Sequence, residues 1–468
     1  MNITVYNTMN NRKEKFVPRE EGKVSIYVCG PTTYNYIHLG NARPIVVFDA
    51  IRRYFIYQGQ QVTYVQNFTD VDDKIINRAK EEGITAAAVA EKYIAAYFED
   101  VAALNVMKAD IHPKVTEHMA DIIDIVQKLI DNGYAYEAEG DVYYSVSKFA
   151  DYGKLSGRDI EDMKAGARVE VGDIKRDPMD FALWKAAKPG EPAWQSPWGM
   201  GRPGWHIECS AMSHKYLGDD FDIHGGGADL IFPHHENEIA QSEAACGCNF
   251  VRYWLHNGFI TVNQEKMSKS LNNFFLLRDI LNKFSGDVVR FYLLSTHYRS
   301  PIDFDDKKLE VAAKSLGRIR NSIAFLDNAI ANGGGTDKAA GTALLEAMQT
   351  AKDGFENAMN DDFNTALAIA AVFDFCKAVN SNAKGAEPKV LAEAKALFTA
   401  FDSVIGAFAV KTQADDGLSE ELMQVIIKIR QDARTKKDWA TADSIRDSLK
   451  AIGIVLEDGA DGVRWKRV

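Results

Sequence analysis

The stretch Val24-Ser-Ile-Tyr-Val28-Cys29-Gly-Pro31-Thr-Thr-Tyr-Asn-Tyr-Ile-His38-Leu-Gly40-Asn41 decides the fold. The apolar run from Val24 to Val28 reads as a strand, and the apolar-periodic stretch after it, with Phe48, Ile51 and Phe55, reads as a helix. A tight turn joins them. Such a turn aims backbone N–H groups and the positive end of a helix dipole at whatever binds there, and His38 and Asn41 add side-chain donors. Polyphosphate is the natural guest. A second run, Gln61 to Phe68, completes a strand–helix–strand unit, which implies a parallel sheet with a right-handed crossover. Sheets of this kind bind ligands at the carboxyl ends of their strands, where Cys29, His38 and Thr69 fall.

Further along, Lys266-Met-Ser-Lys269-Ser270 places two lysines on a polar segment, suited to neutralising charge on a departing pyrophosphate. Either motif alone is commonly just a turn or a solvated loop. Together, and in this order, they describe an ATP site and nucleotidyl transfer. A third feature narrows the chemistry. Cys29 ends the first strand, Cys209 sits in Gly204-Trp205-His206-Ile207-Glu208-Cys209-Ser210, and Phe232-Pro233-His234-His235-Glu236-Asn237-Glu238 opens a helix after its proline. His234 and Glu238 are four apart and share a helix face. Two thiols, an imidazole and a carboxylate suit a tetrahedral zinc ion. Cys246-Gly-Cys248 is another thiol pair, but it has no donor beside it in sequence, and such pairs commonly bind nothing.

At 468 residues the chain is too long for one ordinary domain, and roughly two to four are expected. Met1 to Arg19 is polar and no stretch is apolar for long enough to span a bilayer, so the expectation is a cytosolic protein. Five cysteines, an odd and small number, argue against a disulfide framework and fit a reducing compartment. The formal net charge of −11 is unusual for a nucleic-acid binder. From Glu421 onward, however, ten Lys and Arg stand against eight Asp and Glu, among them Lys428, Arg430, Arg434, Lys436, Lys437, Arg464, Lys466 and Arg467. On charge alone this tail is equally a solvated face or an RNA-binding surface.

Over almost its whole length the chain resembles the cysteinyl-tRNA synthetases, a family of class I aminoacyl-tRNA synthetases. Besides the two ATP motifs, the resemblance rests on Asn67-Phe-Thr69-Asp70-Val-Asp-Asp-Lys74, Pro203-Gly-Trp205-His-Ile-Glu-Cys209, Phe221-Asp-Ile-His224-Gly-Gly-Gly227-Ala-Asp229 and His234-His-Glu-Asn-Glu238. It implies one zinc ion held by Cys29, Cys209, His234 and Glu238, ATP with Mg2+, L-cysteine and tRNA(Cys) as substrates, and a monomer. It implies phosphate contacts from His38, Gly40 and Asn41, closure by Lys266 and Lys269, adenosine contacts at Gly226 and Asp229, and a cysteine pocket with Thr69, Trp205 and His224. A pocket judging size alone separates cysteine from serine poorly, whereas zinc binds a thiolate well and an alcohol badly. Two positions depart from the pattern. Asn41 stands where many class I motifs have a second histidine, and Asn272 where the family usually has glycine. A ligase joining cysteine to an amino sugar is the nearest rival, and a zinc hydrolase or a non-catalytic RNA binder are more distant ones.

The implied fold class is α/β: a Rossmann-like nucleotide-binding domain with a parallel sheet and an insertion, then an α-helical bundle and a small anticodon-binding module. The corresponding boundaries are 1–133 and 196–309 for the two catalytic halves, 134–195 for the insertion, 310–410 for the bundle and 411–468 for the last module. The insertion reads as irregular, Tyr253 to Val262 as one strand, and Gly225 to Gly227 as a flexible approach to adenosine. In the bundle, Leu316, Ile319 and Ile323 form one apolar face, and Phe363, Leu367, Ile369 and Phe373 another. The end of the chain, Gly453 to Glu457 and Val463 to Arg467, reads as a hairpin.

Overall fold

In the computed structural model, residues 2–159, 174–262, 265–266, 274–409, 418–459 and 462–467 are described. Strand Lys23–Val28 buries Val24, Ile26, Tyr27 and Val28, more than simple alternation would, because both faces of its sheet are covered. It lies inside a four-stranded parallel sheet ordered Val251–Asn257, Phe221–Gly227, Lys23–Val28, Gln61–Gln66. The chain runs to one side of Lys23–Val28 first and returns later to build the other side. The crevice at the carboxyl ends of Lys23–Val28 and Phe221–Gly227 is therefore the topological switch point, where such sheets bind ligands.

Helix Leu39–Tyr57 crosses between the first two strands of this unit. Its start is a reciprocal cap: His38 Nδ1 accepts from the Asn41 amide N–H, and Asn41 Oδ1 accepts from the His38 N–H, each at 3.2 Å. Residues on most of its circumference are buried, since it is enclosed by the sheet on one side and by later helices on the other.

Several expectations are corrected. The insertion is ordered where it is described: Ala135–Ala138, Asp141–Tyr144, Phe181–Ala186, Gly199–Pro203 and Trp194–Ser196 form a five-stranded antiparallel sheet. Its strands are only three to six residues long, which hid their period. Tyr253 to Val262 is two strands in different sheets, Val251–Asn257 and Ile260–Val262, broken at Gly258 and Phe259, whose carbonyls turn to the Arg43 guanidinium. Gly225 to Gly227 is not a flexible loop but the end of a buried strand. A Cβ on Gly225 would lie 2.3 Å from Phe48 Cε1, so glycine is there for close packing. The helix expected after Pro233 begins at Glu236, preceded by an irregular turn over Ile231–His235.

Helices Asp306–Ala331, Lys338–Asn360, Thr365–Asn382 and Pro388–Ile405 form the bundle, the first three capped by Asp305, Asp337 and Asn364 side chains. Leu316 and Ile319 are buried and Ile323 is packed against the core, as their spacing predicts, but Leu367 is 58% exposed. The bundle shares its core with the nucleotide-binding part, for example through Phe55 and Phe363, whose ring centroids are 5.4 Å apart. Buried Asp362 accepts from the Tyr6 N–H at 2.8 Å, the Tyr298 hydroxyl at 2.8 Å and Arg299 Nε at 2.7 Å. Met1–Ala409 accordingly form one unit.

The second unit, Val410–Val468, contains helices Leu418–Thr435 and Trp439–Ala451 and the antiparallel hairpin Ile454–Gly459 with Gly462–Arg467. Met423, Leu449 and Ile454 form its small core. Lys428, Arg434, Lys436 and Lys437 are exposed, while Arg430, read as part of the basic surface, is buried. Among the described residues, no helix is long and apolar enough to cross a membrane. Cys246 is bonded to Cys248, a single disulfide between residues two apart and not the framework that the cysteine count argued against.

Candidate active site

The carboxyl end of Lys23–Val28 delivers Cys29 to the switch point, and the second turn of helix Trp205–Leu217 brings Cys209 to it. Glu238 comes from the first turn of helix Glu236–Cys246 and His234 from the turn before it. One donor atom from each of these four residues lies within 4.8 Å of all the others. Cys29 Sγ is 3.7 Å from Cys209 Sγ and 3.5 Å from Glu238 Oε1, and His234 Nε2 is 3.0 Å from the same oxygen. Bonds of about 2.3 Å to sulfur and about 2.0 Å to oxygen, at tetrahedral angles, place two sulfurs about 3.8 Å apart and a sulfur and an oxygen about 3.5 Å apart. The four donors therefore fit around one tetrahedral ion, and the set is consistent with zinc.

Cys29 and Glu238 also belong to a second group, with His224 and His235. It fits less well. His235 Nε2 is 3.9 Å from Glu238 Oε1, while His235 Nδ1 bonds His256 Nε2 at 2.7 Å. His224 Nε2 meets the other Glu238 oxygen at 2.8 Å, its ring stacked on Trp254 with centroids 4.5 Å apart. This is a supporting layer that orients the carboxylate. His235 and His256 were missed in the sequence, although His235 adjoins His234 and His256 lies near the carboxyl end of a sheet strand.

Electrostatics in this pocket reflect burial opposed by neighbouring charge. Burial, reinforced by the bond to Cys209, pushes the Cys29 thiol well up, whereas receiving that bond outweighs burial at Cys209 and lowers it to about 6. Burial would raise Glu238, but His224 and His234 outweigh it and hold the carboxyl at about 2. Burial would lower His234, but Glu238 and Cys209 raise it to about 10. Burial, reinforced by the neighbouring His224, drives His256 down to about 3 against the opposing charge of Glu238. Burial likewise pushes Glu208 well up, and Glu208 Oε2 accepts a 2.8 Å hydrogen bond from the Thr69 hydroxyl.

A cavity of about 320 Å3 opens at the switch point, and Cys29 is part of its wall. Trp205 lines it too, its ring 4.3 Å from that of His234, so the floor of the cavity adjoins the four donors. His38, Gly40 and Asn41 line it at the helix start, as do Gly227 and Asp229 at the end of a sheet strand. The Asn41 cap uses Oδ1, which leaves the amino group as the donor toward the cavity. Lys74 also lines the cavity, its Nζ 5.6 Å from the centre of the Tyr34 ring. Thr69, His224 and Gly226 do not line it: the first two are buried behind it, and Gly226 faces the His235 ring. Lys266 pairs with Thr261 through the backbone of strand Glu265–Lys266. Lys269, Ser270 and Asn272 lie outside the described residues.

Residues 15–314 match the family model of the class I tRNA synthetase (C) catalytic domain, 354–409 that of the DALR domain, and 415–465 that of the cysteinyl-tRNA ligase anticodon binding domain. The chain belongs to the cysteinyl-tRNA synthetase family. Among its relatives, the cysteine–tRNA ligase of Desulforamulus reducens is 61% identical and that of Pelotomaculum thermopropionicum 59%, each over 99% of this chain and 100% of the relative. That of Bacillus licheniformis is 52% identical over 100% of this chain and 99% of its own. The fold is shared more widely than cysteinyl-tRNA synthetases. A leucyl-tRNA synthetase of Agrobacterium radiobacter, solved with tRNA, aligns with a TM-score of 0.62 at 12% identity, covering 84% of this chain and 85% of that one. The methionyl-tRNA synthetase of Mycobacterium tuberculosis gives 0.59 at 15% identity, covering 82% of this chain and 89% of that one.

Proposed function

We propose that the four donors and the adjoining cavity act as one centre for activating cysteine and passing it to tRNA. The chain is a cysteine–tRNA ligase: it joins L-cysteine to the 3′ end of tRNA(Cys), using ATP and releasing AMP and pyrophosphate. Full-length likeness to relatives named cysteine–tRNA ligase leaves the amino-sugar ligase reading without support. The observation that carries the site assignment is that Cys29 belongs both to the tetrahedral donor set and to the wall of the cavity headed by His38, Gly40 and Asn41.

In this reading Cys29, Cys209, His234 and Glu238 hold zinc, which supplies a soft Lewis acid that accepts a thiolate and discriminates against an alcohol. His224 fixes the Glu238 carboxylate, and Trp205 packs over His234 and bounds the cysteine pocket. Thr69, expected in the cysteine pocket, donates its hydroxyl to Glu208 and supports the pocket through that carboxyl. The helix start at His38, Gly40 and Asn41 receives the ATP phosphates, and Asp229 and Gly226 serve the adenosine, Asp229 at the ribose. The cysteine carboxylate then attacks the α-phosphorus in line, the bond to pyrophosphate breaks, and Lys266 and Lys269 offset the charge on the leaving group. In the second step the terminal ribose 2′ hydroxyl attacks the adenylate carbonyl and AMP departs. No nucleophile from the protein is needed. Mg2+ accompanies ATP, and the working form is a cytosolic monomer, catalytic over 1–133 and 196–309, with 134–195 inserted, 310–410 as bundle and 411–468 reading the anticodon.

The test is cysteine-dependent ATP–pyrophosphate exchange without RNA, with serine as control, on zinc-loaded and chelator-stripped protein. Exchange with cysteine alone that disappears with the metal supports the assignment. Equal exchange with serine, or exchange indifferent to metal, removes the selecting role of the four donors.

A further inference from the structure

A second group of ligand-type side chains lies away from the cavity, where two helices end. Helix Trp205–Leu217 stops at Gly218 and is followed by Asp219, and helix Glu236–Cys246 stops at Gly247, whose left-handed backbone (φ +69°) turns Cys248 back toward Cys246. One carboxylate oxygen of Asp219 and the sulfurs of Cys246 and Cys248 all lie within 4.8 Å of one another. His214, in the last turn of its helix, holds the same carboxylate, with Nδ1 2.5 Å from Asp219 Oδ1. The thiol pair that lacked neighbours in sequence thus gains a carboxylate and an imidazole from another helix.

Three further observations favour a cation here. Both helices present their carbonyl ends, the negative ends of their dipoles, to this point. The nearby cations are already matched: Arg252 to Asp220 at 3.1 Å, Lys128 to Asp124 at 2.9 Å and Lys215 to Asp121 at 2.9 Å. A cavity of about 250 Å3, walled in part by His214, Asp219 and Cys246, leaves room for a fourth ligand such as water.

We propose that Asp219, Cys246 and Cys248, with His214 orienting the carboxylate, form a second metal site for a thiophilic divalent ion such as Zn2+ or Cd2+ in the reduced protein. Two thiolates select a soft or borderline ion over Mg2+ or Ca2+. The site and the Cys246–Cys248 disulfide exclude each other, since a sulfur in a disulfide is no thiolate donor. Exchange with a small dithiol reductant breaks the protein S–S bond, leaves two protein thiols and converts the reductant to its own disulfide; binding then releases both thiol protons to solvent. The bound ion ties together the far ends of the two helices that carry Cys209 and Glu238.

The test is equilibrium dialysis of the full chain against Cd2+ and against Zn2+, with metal counted per chain. Reduced protein is expected to take two ions, the second lost on oxidation and in the double variant Cys246→Ser/Cys248→Ser, with the near-ultraviolet thiolate-to-cadmium band falling in parallel. Asp219→Asn weakens the second ion at least tenfold and serves as the test if the double variant fails to fold. An equal number of ions in reduced and oxidised protein, an equal number in reduced wild type and the folded double variant, or binding unaffected by Asp219→Asn would each overturn the proposal. None of these readouts depends on ATP exchange, so the result stands apart from the fate of the catalytic assignment.

Discussion

His224 Nε2 and Glu238 Oε2 stand 2.8 Å apart, with both side chains sealed from solvent, while the other oxygen of Glu238 faces His234 and Cys29. The carboxylate is thus gripped from behind and offered forward. His224→Leu keeps the volume but removes the grip, and metal affinity should fall about 10- to 100-fold, the usual cost of losing a group that orients a ligand. Competition with a coloured chelator measures this, and unchanged affinity would show that Glu238 needs no such support.

Gly30 follows Cys29, and a Cβ there would stand 1.6 Å from the Asn67 carbonyl oxygen. The clash is with backbone, so the strand end carrying Cys29 must shift. Gly30→Ala is expected to cost about 1–3 kcal/mol or more in stability and to reduce metal content, read by denaturant melts and metal analysis.

Arg43 is completely buried, and its guanidinium donates to the carbonyls of Gly258, Phe259 and Tyr298, at 2.8, 2.8 and 3.1 Å, and to that of Ser300. Burial lowers it to about 10, so it stays charged at neutral pH. Removing one donor strands several carbonyls, each worth roughly 1–3 kcal/mol when left unpaired. Arg43→Met should therefore lose about 3 kcal/mol or more in urea unfolding. Arg43→Lys, with charge but no fork, should fall between it and wild type.

His112 stacks on Phe68 with centroids 5.2 Å apart, and Nδ1 lies 2.9 Å from the Gln66 carbonyl. Burial lowers its pKa below the ordinary 6.5, against the opposing effect of that carbonyl. Between the lowered value and 6.5 the unfolded chain binds more protons than the folded one, so stability rises with pH across that window. The contribution is complete above pH 6.5 and is lost as pH falls toward the folded value. His112→Gln should flatten this part of the profile of midpoint against pH, and a profile with unchanged slope there would show that His112 does not contribute.

Much was legible because local spacing encodes it. The strand, cap and helix around His38 need only neighbours in sequence, and Asn41 closes the predicted turn through its own side chain. Cys29, Cys209, His234 and Glu238 were legible as donor types, and the structure brings them together within bonding range of a common point. The five-stranded insertion was not legible: its strands are only three to six residues long, too short to show a period, and Phe181–Ala186 joins the two local hairpins into one sheet from farther along the chain. Nor was the buried fate of Arg430, 6% exposed on a helix whose neighbouring Lys428 and Arg434 are exposed.

Residue identity alone decides which atoms this protein can offer: two isolated thiols, a histidine and a carboxylate for a soft cation, a capped helix start for phosphate, and paired lysines for a leaving group. Tertiary structure alone decides which of them meet. It sets Thr69 and His224 behind the cavity instead of in its wall, makes His235 and His256 a supporting layer, and carries Asp219 and His214 to the Cys246 pair. The reason is physical: a side chain's type is a local property of the chain, whereas its distance from a partner 14 residues away, as for His224 and Glu238, or 209 away, as for Cys29 and Glu238, follows from burial of a shared core.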